Sequence, residues 1–389
     1  MLEIDKSMCC GCSACVNICP QQCISFVNDI EGFYYPHVEE NICIHCGMCK
    51  KVCPFQVHGV EKKSIPKAYG MKALDNNILK NSSSGGVFTL LAEQIIEIDG
   101  VVYGAAMTDD MRGVRHIRVT SAEGLLLLRG SKYLQSQMND CYNQVKEDLN
   151  SKNIVLFSGT PCQINGLKLY LGKNYENLIC VEVICHGVPS PLLWENYINY
   201  LENKLGEKII YVNFREKLYG WKKFGLLVKG ENKSKFLSLD KDTYLQMFLK
   251  NYCLRPSCYN CNVKKSESMA DITIADFWGA ESIVPEMDDD KGTSLVLIQT
   301  SKGQNYLKMI KNLTVFRMVD FDKSIMSNPA YFNSTSKPFK RENFFDELNQ
   351  YGYMKVAKKY GHLTLKEQLI RIISKTPVLE TYMKLVHKM

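Results

Sequence analysis

Cys9, Cys12, Cys15 and Cys19 are followed by Pro20, and Cys43, Cys46, Cys49 and Cys53 by Pro54. Both runs read C-x-x-C-x-x-C-x-x-x-C-P, the thiolate spacing that grips a pair of 4Fe–4S clusters. In that arrangement the fourth cysteine of each run crosses to the other cluster. Cys53 then completes the set of Cys9, Cys12 and Cys15, and Cys19 completes that of Cys43, Cys46 and Cys49. A zinc ribbon uses two C-x-x-C pairs and has no need of a four-cysteine run closed by Cys-Pro, occurring twice. A disulfide framework suits short secreted chains, and no apolar signal segment precedes Cys9. The chemistry expected of the first 58 residues is single-electron transfer by a small bacterial-type dicluster ferredoxin domain.

The remaining cysteines fall largely at strand ends. Cys162 follows the apolar run Ile154-Val-Leu-Phe157 through Ser158-Gly-Thr-Pro161, and Cys185 ends the run that starts at Leu178. Cys258 and Cys261 form a C-x-x-C pair before Asp271-Ile-Thr-Ile274. Strand ends in α/β sheets are where sites assemble, and four thiols from three loops suffice for a third cubane. Cys253 is a fifth candidate for that set. Cys141 on a helix face and Cys180 within a strand read as buried small residues. Cys10 and Cys23 lie off the cluster register and read as filler.

Other polar motifs say less. Ser82-Ser-Ser-Gly-Gly86 opens a helix, where main-chain N–H groups suit a phosphate; it is equally an ordinary cap-bearing loop. Gly130-Ser-Lys-Tyr133 offers a cation, a hydroxyl and a ring, or a solvated turn. His186 is a candidate proton donor or a loop hydrogen-bonding residue. Asp276-Phe-Trp-Gly279 either lines a pocket or packs, and Asp288, Asp289 and Asp290 read as a polar turn.

At 389 residues, with 46 % hydrophobic and 23 % charged residues, the chain has the size and composition of a soluble globular protein with a small cluster module and a larger body. No run approaches the ~18 apolar residues of a membrane span. The formal charge of +7 counts cysteines as neutral; three cubanes at about −2 each bring the total near zero. The basic excess is therefore compensation, and no Lys/Arg run with interleaved aromatics marks a nucleic-acid site. Exposed clusters and unpaired thiols indicate a reducing, anaerobic cytoplasm.

These residues need elements to hold them. Beyond a connector at 59–70 the texture is mixed α/β. Helical spacing of Val87, Leu90, Leu91, Ile95 and Ile98 predicts a helix over 86–98, and Leu134, Met138, Cys141, Val145 and Leu149 suggest a second. Strands are expected at 154–157, 178–185, 209–214, 224–229, 271–275, 293–299 and 313–318. Ser190 caps a helix that Pro191 opens. The division expected is a ferredoxin domain at 1–58, an oxidoreductase domain at 68–320 and a helical C-terminal extension at 321–389. In that extension Leu365, Leu369, Ile372 and Ile373 form an apolar stripe flanked by Lys366, Arg371 and Lys375, ending at Pro377. Such a helix covers its own core or docks on a partner or an anionic membrane surface.

Iron–sulfur clusters pass single electrons, whereas most organic substrates change by two, so a flavin is the expected converter. No G-x-G-x-x-G fingerprint supports a Rossmann site for it. The chain resembles the beta-subunit family of the deazaflavin coenzyme hydrogenases and dehydrogenases, in the bacterial form that carries an N-terminal two-cluster ferredoxin. The likeness rests on Ser83-Ser-Gly-Gly86, Gly130-Ser-Lys-Tyr133, Gly159-Thr-Pro-Cys-Gln163, Cys185-His-Gly187, Cys258-x-x-Cys261 and Ala270-Asp-Ile-x-x-x-Asp-Phe-Trp-Gly279. It implies an FAD-binding mixed α/β domain with its own 4Fe–4S cluster. By that likeness Cys162, Cys185, Cys258 and Cys261 hold the third cluster. Ser84, Gly85, Gly86, Ser131, Lys132 and Tyr133 contact FAD, with Thr160 and Gln163 as further candidates. The resulting expectation is an iron–sulfur flavoprotein oxidoreductase. It takes electrons from a ferredoxin or other low-potential donor and passes them to a small organic substrate or carrier, with the proton coming from solvent or a nearby side chain such as His186. The alternative is an electron-transfer subunit of a larger complex without a substrate of its own. A non-redox role leaves three clusters without a purpose.

Overall fold

The computed structural model describes residues 5–56, 65–264 and 268–363. The apolar stripe at 365–373 lies outside them. Fourteen strands are described: β1 (Ile24–Asn28), β2 (Tyr34–Val38), β3 (Lys67–Ala73), β4 (Val101–Met107), β5 (Val114–Val119), β6 (Ser136–Gln137), β7 (Val155–Gly159), β8 (Leu178–Val183), β9 (Tyr211–Glu216), β10 (Gly225–Lys229), β11 (Ser234–Ser238), β12 (Ile272–Asp276), β13 (Ser294–Ile298) and β14 (Thr314–Val319). Nine of them form one mixed sheet in the order β14-β3-β13-β12-β8-β7-β4-β5-β6. Its centre, β12-β8-β7-β4, is parallel, and antiparallel strands flank it on both sides. The chain is thus a mixed α/β protein with a ferredoxin-like iron–sulfur region at its N-terminus.

Both faces of the sheet are covered, which explains why β7, β8 and β13 read as unbroken apolar runs. The Val87–Glu97 and Ala122–Leu128 helices pack on one face. On the other lie the Cys141–Asn150 and Pro161–Leu171 helices, and Cys12, Ala14 and Val52 of the N-terminal module pack into that same layer. The helix expected from Leu134 begins only at Cys141. Asn139 takes a left-handed φ of 45° and breaks the run, so Leu134 and Met138 are buried ahead of the helix and Ser136–Gln137 pairs with β5. The strand expected at 209–214 runs instead over Tyr211–Glu216.

A third core joins parts distant in sequence. Ser190 accepts from the Leu193 N–H at 3.2 Å and Pro191 occupies the first position of the Pro191–Leu205 helix. That helix buries Trp194, Tyr197, Ile198 and Leu201 at helical spacing. Against them pack Phe33 and Tyr35 of the N-terminal hairpin, the β9-β10-β11 sheet, and Phe344, Phe345 and Tyr353 of the C-terminal helices. Arg341 locks the join with a fork onto Glu31, at 2.6 and 2.5 Å, while also donating to the Leu254 carbonyl at 2.8 Å.

Glu31→Ala leaves the buried Arg341 guanidinium without its counter-charge. It should cost about 3–5 kcal/mol, read as a lower unfolding midpoint of anaerobic holoprotein. A second expectation concerns pH. Asp242 caps the Thr243–Leu249 helix through the Leu245 N–H at 2.7 Å and accepts the Tyr197 hydroxyl. Burial raises its carboxyl to about 6 from 3.8. The folded state therefore holds that proton where the unfolded state has lost it, so stability drains away as pH rises through 6. Asp242→Asn, which keeps the cap, should flatten the thermal midpoint between about pH 4 and 6 relative to the native chain.

Candidate metal and flavin centre

The eight cysteines of the two runs fall into two neighbouring groups in crossed order. Cys15 is pushed far up by burial and then by the charges of Cys9, Cys53 and Cys49. Cys12 is raised even though Cys10 hydrogen-bonds to it, through burial and through Cys15 and Cys53. Cys9, Cys12, Cys15 and Cys53 thus face one another. Cys49 is raised by burial and feels Cys46 and Cys19, which marks the second group, of Cys19, Cys43, Cys46 and Cys49. Cys46 is exposed, whereas Cys12 is buried. The first group is the inner one.

At the carboxyl ends of the parallel strands, Cys162 follows β7 and Cys185 follows β8. Burial drives the Cys185 thiol well up, and the charges of Cys258, Cys162 and Cys261 add to it. Burial also lifts Cys258 to about 12 and Cys261 to about 11. The Val188 N–H points at Cys258 Sγ at 3.4 Å, and Thr160 Oγ1 lies 3.2 Å from Cys162 Sγ. The Lys264 ammonium donates to the carbonyls of Cys185, Ala330 and Asn333, each at 2.9 Å. Cys253 is elsewhere, buried in the aromatic core, where the upward push of burial on its thiol outweighs the opposing charge of Arg341.

Four thiols in each of three groups are the donor chemistry of 4Fe–4S centres. Iron would take the thiolate, so ligation would release the protons that burial holds on these sulfurs. Among the described residues no three His, Cys, Asp or Glu side chains close around a single ion.

The two cysteines that read as filler lie against these groups. Cys10 lies beside the inner group and the strand-end group: Cys12 and burial push its thiol well up, and Cys162 opposes them. Cys23 Sγ sits 3.4 Å from Cys19 Sγ. Burial opposes ionisation of Cys19, but the Cys23 thiol and the N–H groups of Cys23, Gln21 and Gln22 hold it below the ordinary thiol range. No sequence pattern marks such contacts. Gly166 allows the closest of them: a Cβ there would stand 2.9 Å from Cys12 Sγ and 3.0 Å from the Tyr142 hydroxyl.

The loops expected to meet a flavin converge nearby. Ser83 Oγ accepts from the Ser131 N–H at 2.7 Å, tying Ser83–Gly86 to Gly130–Tyr133. Ser84 Oγ donates to the Thr293 carbonyl and Gly85 N–H to Ser294 Oγ. Gly85 lies so close to β3 that a Cβ would fall 2.3 Å from the Met71 carbonyl oxygen, and Gly86 caps the Val87–Glu97 helix. Lys132 donates to the carbonyls of Leu127 and Arg129. Gln163 folds back to accept from the Thr160 N–H, closing the helix start. Tyr133 stacks on Phe248 at 5.0 Å, and His186 meets the same ring edge-on at 5.1 Å while bonding Asn251 at 2.7 Å.

Arg215, overlooked in the sequence, ties these loops together. It pairs with Asp276 at 2.9 Å and reaches the Tyr133 hydroxyl at 3.5 Å and the Ser83 carbonyl at 3.4 Å. Among the described residues its Nε is buried without a partner, an orphaned cationic donor that suits an anionic group. Asp276 also accepts from Trp221, which stacks on Trp278 at 4.7 Å. Asp288, Asp289 and Asp290 each take a protein partner, as a polar turn does.

Residues 68–142 match the N-terminal model of the coenzyme F420 hydrogenase/dehydrogenase beta subunit, and residues 152–324 match the model for the C terminus of the same protein. Residues 8–57 match a 4Fe-4S dicluster domain. The chain belongs to the F420 hydrogenase/dehydrogenase beta-subunit family. It is an iron–sulfur electron-transfer protein related to oxidoreductase subunits, as the cysteine runs and the resemblance led us to expect. A search of the curated proteins returned no match. Among solved structures, a chain from a xenon derivative of the F420-reducing NiFe hydrogenase complex from Methanosarcina barkeri is 17 % identical. That alignment covers 78 % of this chain and 94 % of the other, with a TM-score of 0.45. Among the described residues no helix is long and apolar enough to cross a membrane.

Cys162→Ala should lower the iron content of anaerobically purified protein by about four atoms per chain, whereas Cys253→Ala should leave it unchanged; iron analysis of the two variants checks the membership of the strand-end group.

Proposed function

We propose that this chain is an iron–sulfur flavoprotein oxidoreductase with three 4Fe–4S centres and FAD, accepting electrons from a ferredoxin-type donor and delivering them to an organic substrate or soluble carrier. The observation that carries this reading is the seating of Cys12 on the helix that holds Cys162, where a Cβ at Gly166 would stand 2.9 Å from Cys12 Sγ; it brings the ferredoxin thiols up to the strand-end thiols. Clusters supply single electrons and a flavin pairs them.

The chain's own residues fit those tasks. Cys162, Cys185, Cys258 and Cys261 would hold the third centre. Ser84, Gly85, Gly86, Ser131 and Tyr133 line or brace the loops at which FAD would bind, and Arg215 Nε offers it a buried cationic donor. Lys132, Thr160 and Gln163 shape the same loops through main-chain bonds. His186, one ring away from Tyr133 across Phe248, is the side chain available to hand over a proton. Burial loosens its hold on a proton, so its protonated form would be a stronger acid than a free imidazolium.

A second reading is an electron-transfer subunit without its own substrate, supported by membership of a family described by its beta subunits. Co-purification of a stoichiometric partner would favour it.

Anaerobically purified protein should contain about twelve irons per chain and show flavin absorbance, and Arg215→Gln should lose flavin while keeping its iron. About eight irons and no flavin in the native chain would overturn the proposal.

A further inference from the structure

Arg255 lies where the N-terminal module meets the sheet, with 0 % of its surface exposed. Its Nε donates to the Cys9 carbonyl at 2.6 Å and its Nη1 to Gln135 Oε1 at 3.0 Å. Nη2 donates to the Tyr34 carbonyl at 2.9 Å and points at Cys9 Sγ at 3.4 Å. The Tyr35 ring covers the guanidinium at 4.2 Å.

Among the described residues no carboxylate pairs with it. The contrast with the other buried arginines is plain: Arg215 has Asp276 and Arg341 has Glu31. A guanidinium keeps its proton in a protein, and a buried charge without a counter-charge is strongly destabilising. What faces Arg255 is sulfur. Cys9 and Cys10 are its nearest ionisable neighbours besides Tyr35, and its charge favours the thiolate at Cys162 and Cys258. Its hydrogen bonds reach the inner group at Cys9, and among the described residues none joins it to Cys19, Cys43, Cys46 or Cys49.

A thiolate-ligated cubane is anionic, and its net charge and the hydrogen bonds to its sulfurs set its reduction potential. A fixed buried cation beside it favours the more negative, reduced state. We propose that Arg255 is the counter-ion shared by the inner centre of Cys9, Cys12, Cys15 and Cys53 and the third centre of Cys162, Cys185, Cys258 and Cys261, and that it holds both at a higher potential than they would have without it. The outer centre, which Arg255 does not contact among the described residues, would be shifted less. This inference rests on the three-centre reading above and names the residue that tilts the potentials inward.

The test is an EPR-monitored redox titration of anaerobic holoprotein as native chain, Arg255→Gln and Arg255→Lys, with iron counted in each. In Arg255→Gln at native iron content, the oxidised-to-reduced ratio of the inner and third centres at a fixed potential should rise about tenfold, or about 59 mV for a one-electron couple. The outer centre should shift less and serves as an internal control, and Arg255→Lys, which keeps the charge, should stay near native. Unchanged midpoints in Arg255→Gln overturn the proposal. If Arg255→Gln does not retain its iron, Arg255→Lys decides: midpoints near native support the counter-ion role, and a tenfold shift despite the retained charge overturns it. A native chain lacking signals beyond two centres would instead fail the three-centre reading, leaving the Arg255 effect to be read on the inner centre alone.

Discussion

The approach of Cys12 to the Pro161–Leu171 helix at Gly166 sets the geometry of the whole molecule. That helix begins one residue before Cys162, so whatever rests on it at Gly166 is brought to the strand-end thiols. With no side chain at 166, the N-terminal module seats until Cys12 Sγ meets the helix surface. The inner thiols are thereby brought up to Cys162 at the start of the same helix. Apolar burial of Cys12, Ala14 and Val52 against Val145, Ile164 and Leu167 drives the seating.

Buried cations specify how the parts fit. Arg341 binds the N-terminal hairpin to the C-terminal helices through Glu31. Arg215 binds β9 to the end of β12 through Asp276 and gathers the Ser83 and Tyr133 loops. Arg255 binds the first cysteine loop to the segment between Cys253 and Cys258. Each joins segments that lie far apart in sequence, and each is nearly or fully enclosed. Desolvating a guanidinium is costly enough that wrong pairings are penalised more than right ones are rewarded. Arginine's rigid fork suits it to this task.

How much of this was legible depended on range. The ligand registers, the Ser190-Pro191 helix start and the apolar strands β7, β8 and β13 are local patterns, and they read directly from the residues. The strands β3 and β4 were not anticipated because Lys67–Ala73 and Val101–Met107 carry Gly and Ala where β-branched residues would announce a strand. The strand β5 did carry a signal, the alternation of Val114, His116 and polar neighbours. At the site, Cys162 and Cys185 were visible because each follows a strand, and Cys258 and Cys261 because of their C-x-x-C spacing. Cys10, Cys23, Arg215 and Arg255 were not, since their partners lie across the fold and no spacing encodes them. Cys253 illustrates the reverse: near Cys258 in sequence, it points into the aromatic core.

The enclosure of Arg255 and Cys12 bears on the order in which the protein is made. Once the hairpin of β1 and β2 lies against the body, Cys12 is buried and Tyr35 covers the guanidinium that reaches Cys9. An assembly scaffold delivering a preformed inorganic core would need the two halves still apart. Biogenesis would then run as a fixed sequence, with insertion first and closure afterwards, and closure would act as the latch that keeps the delivered metal in place.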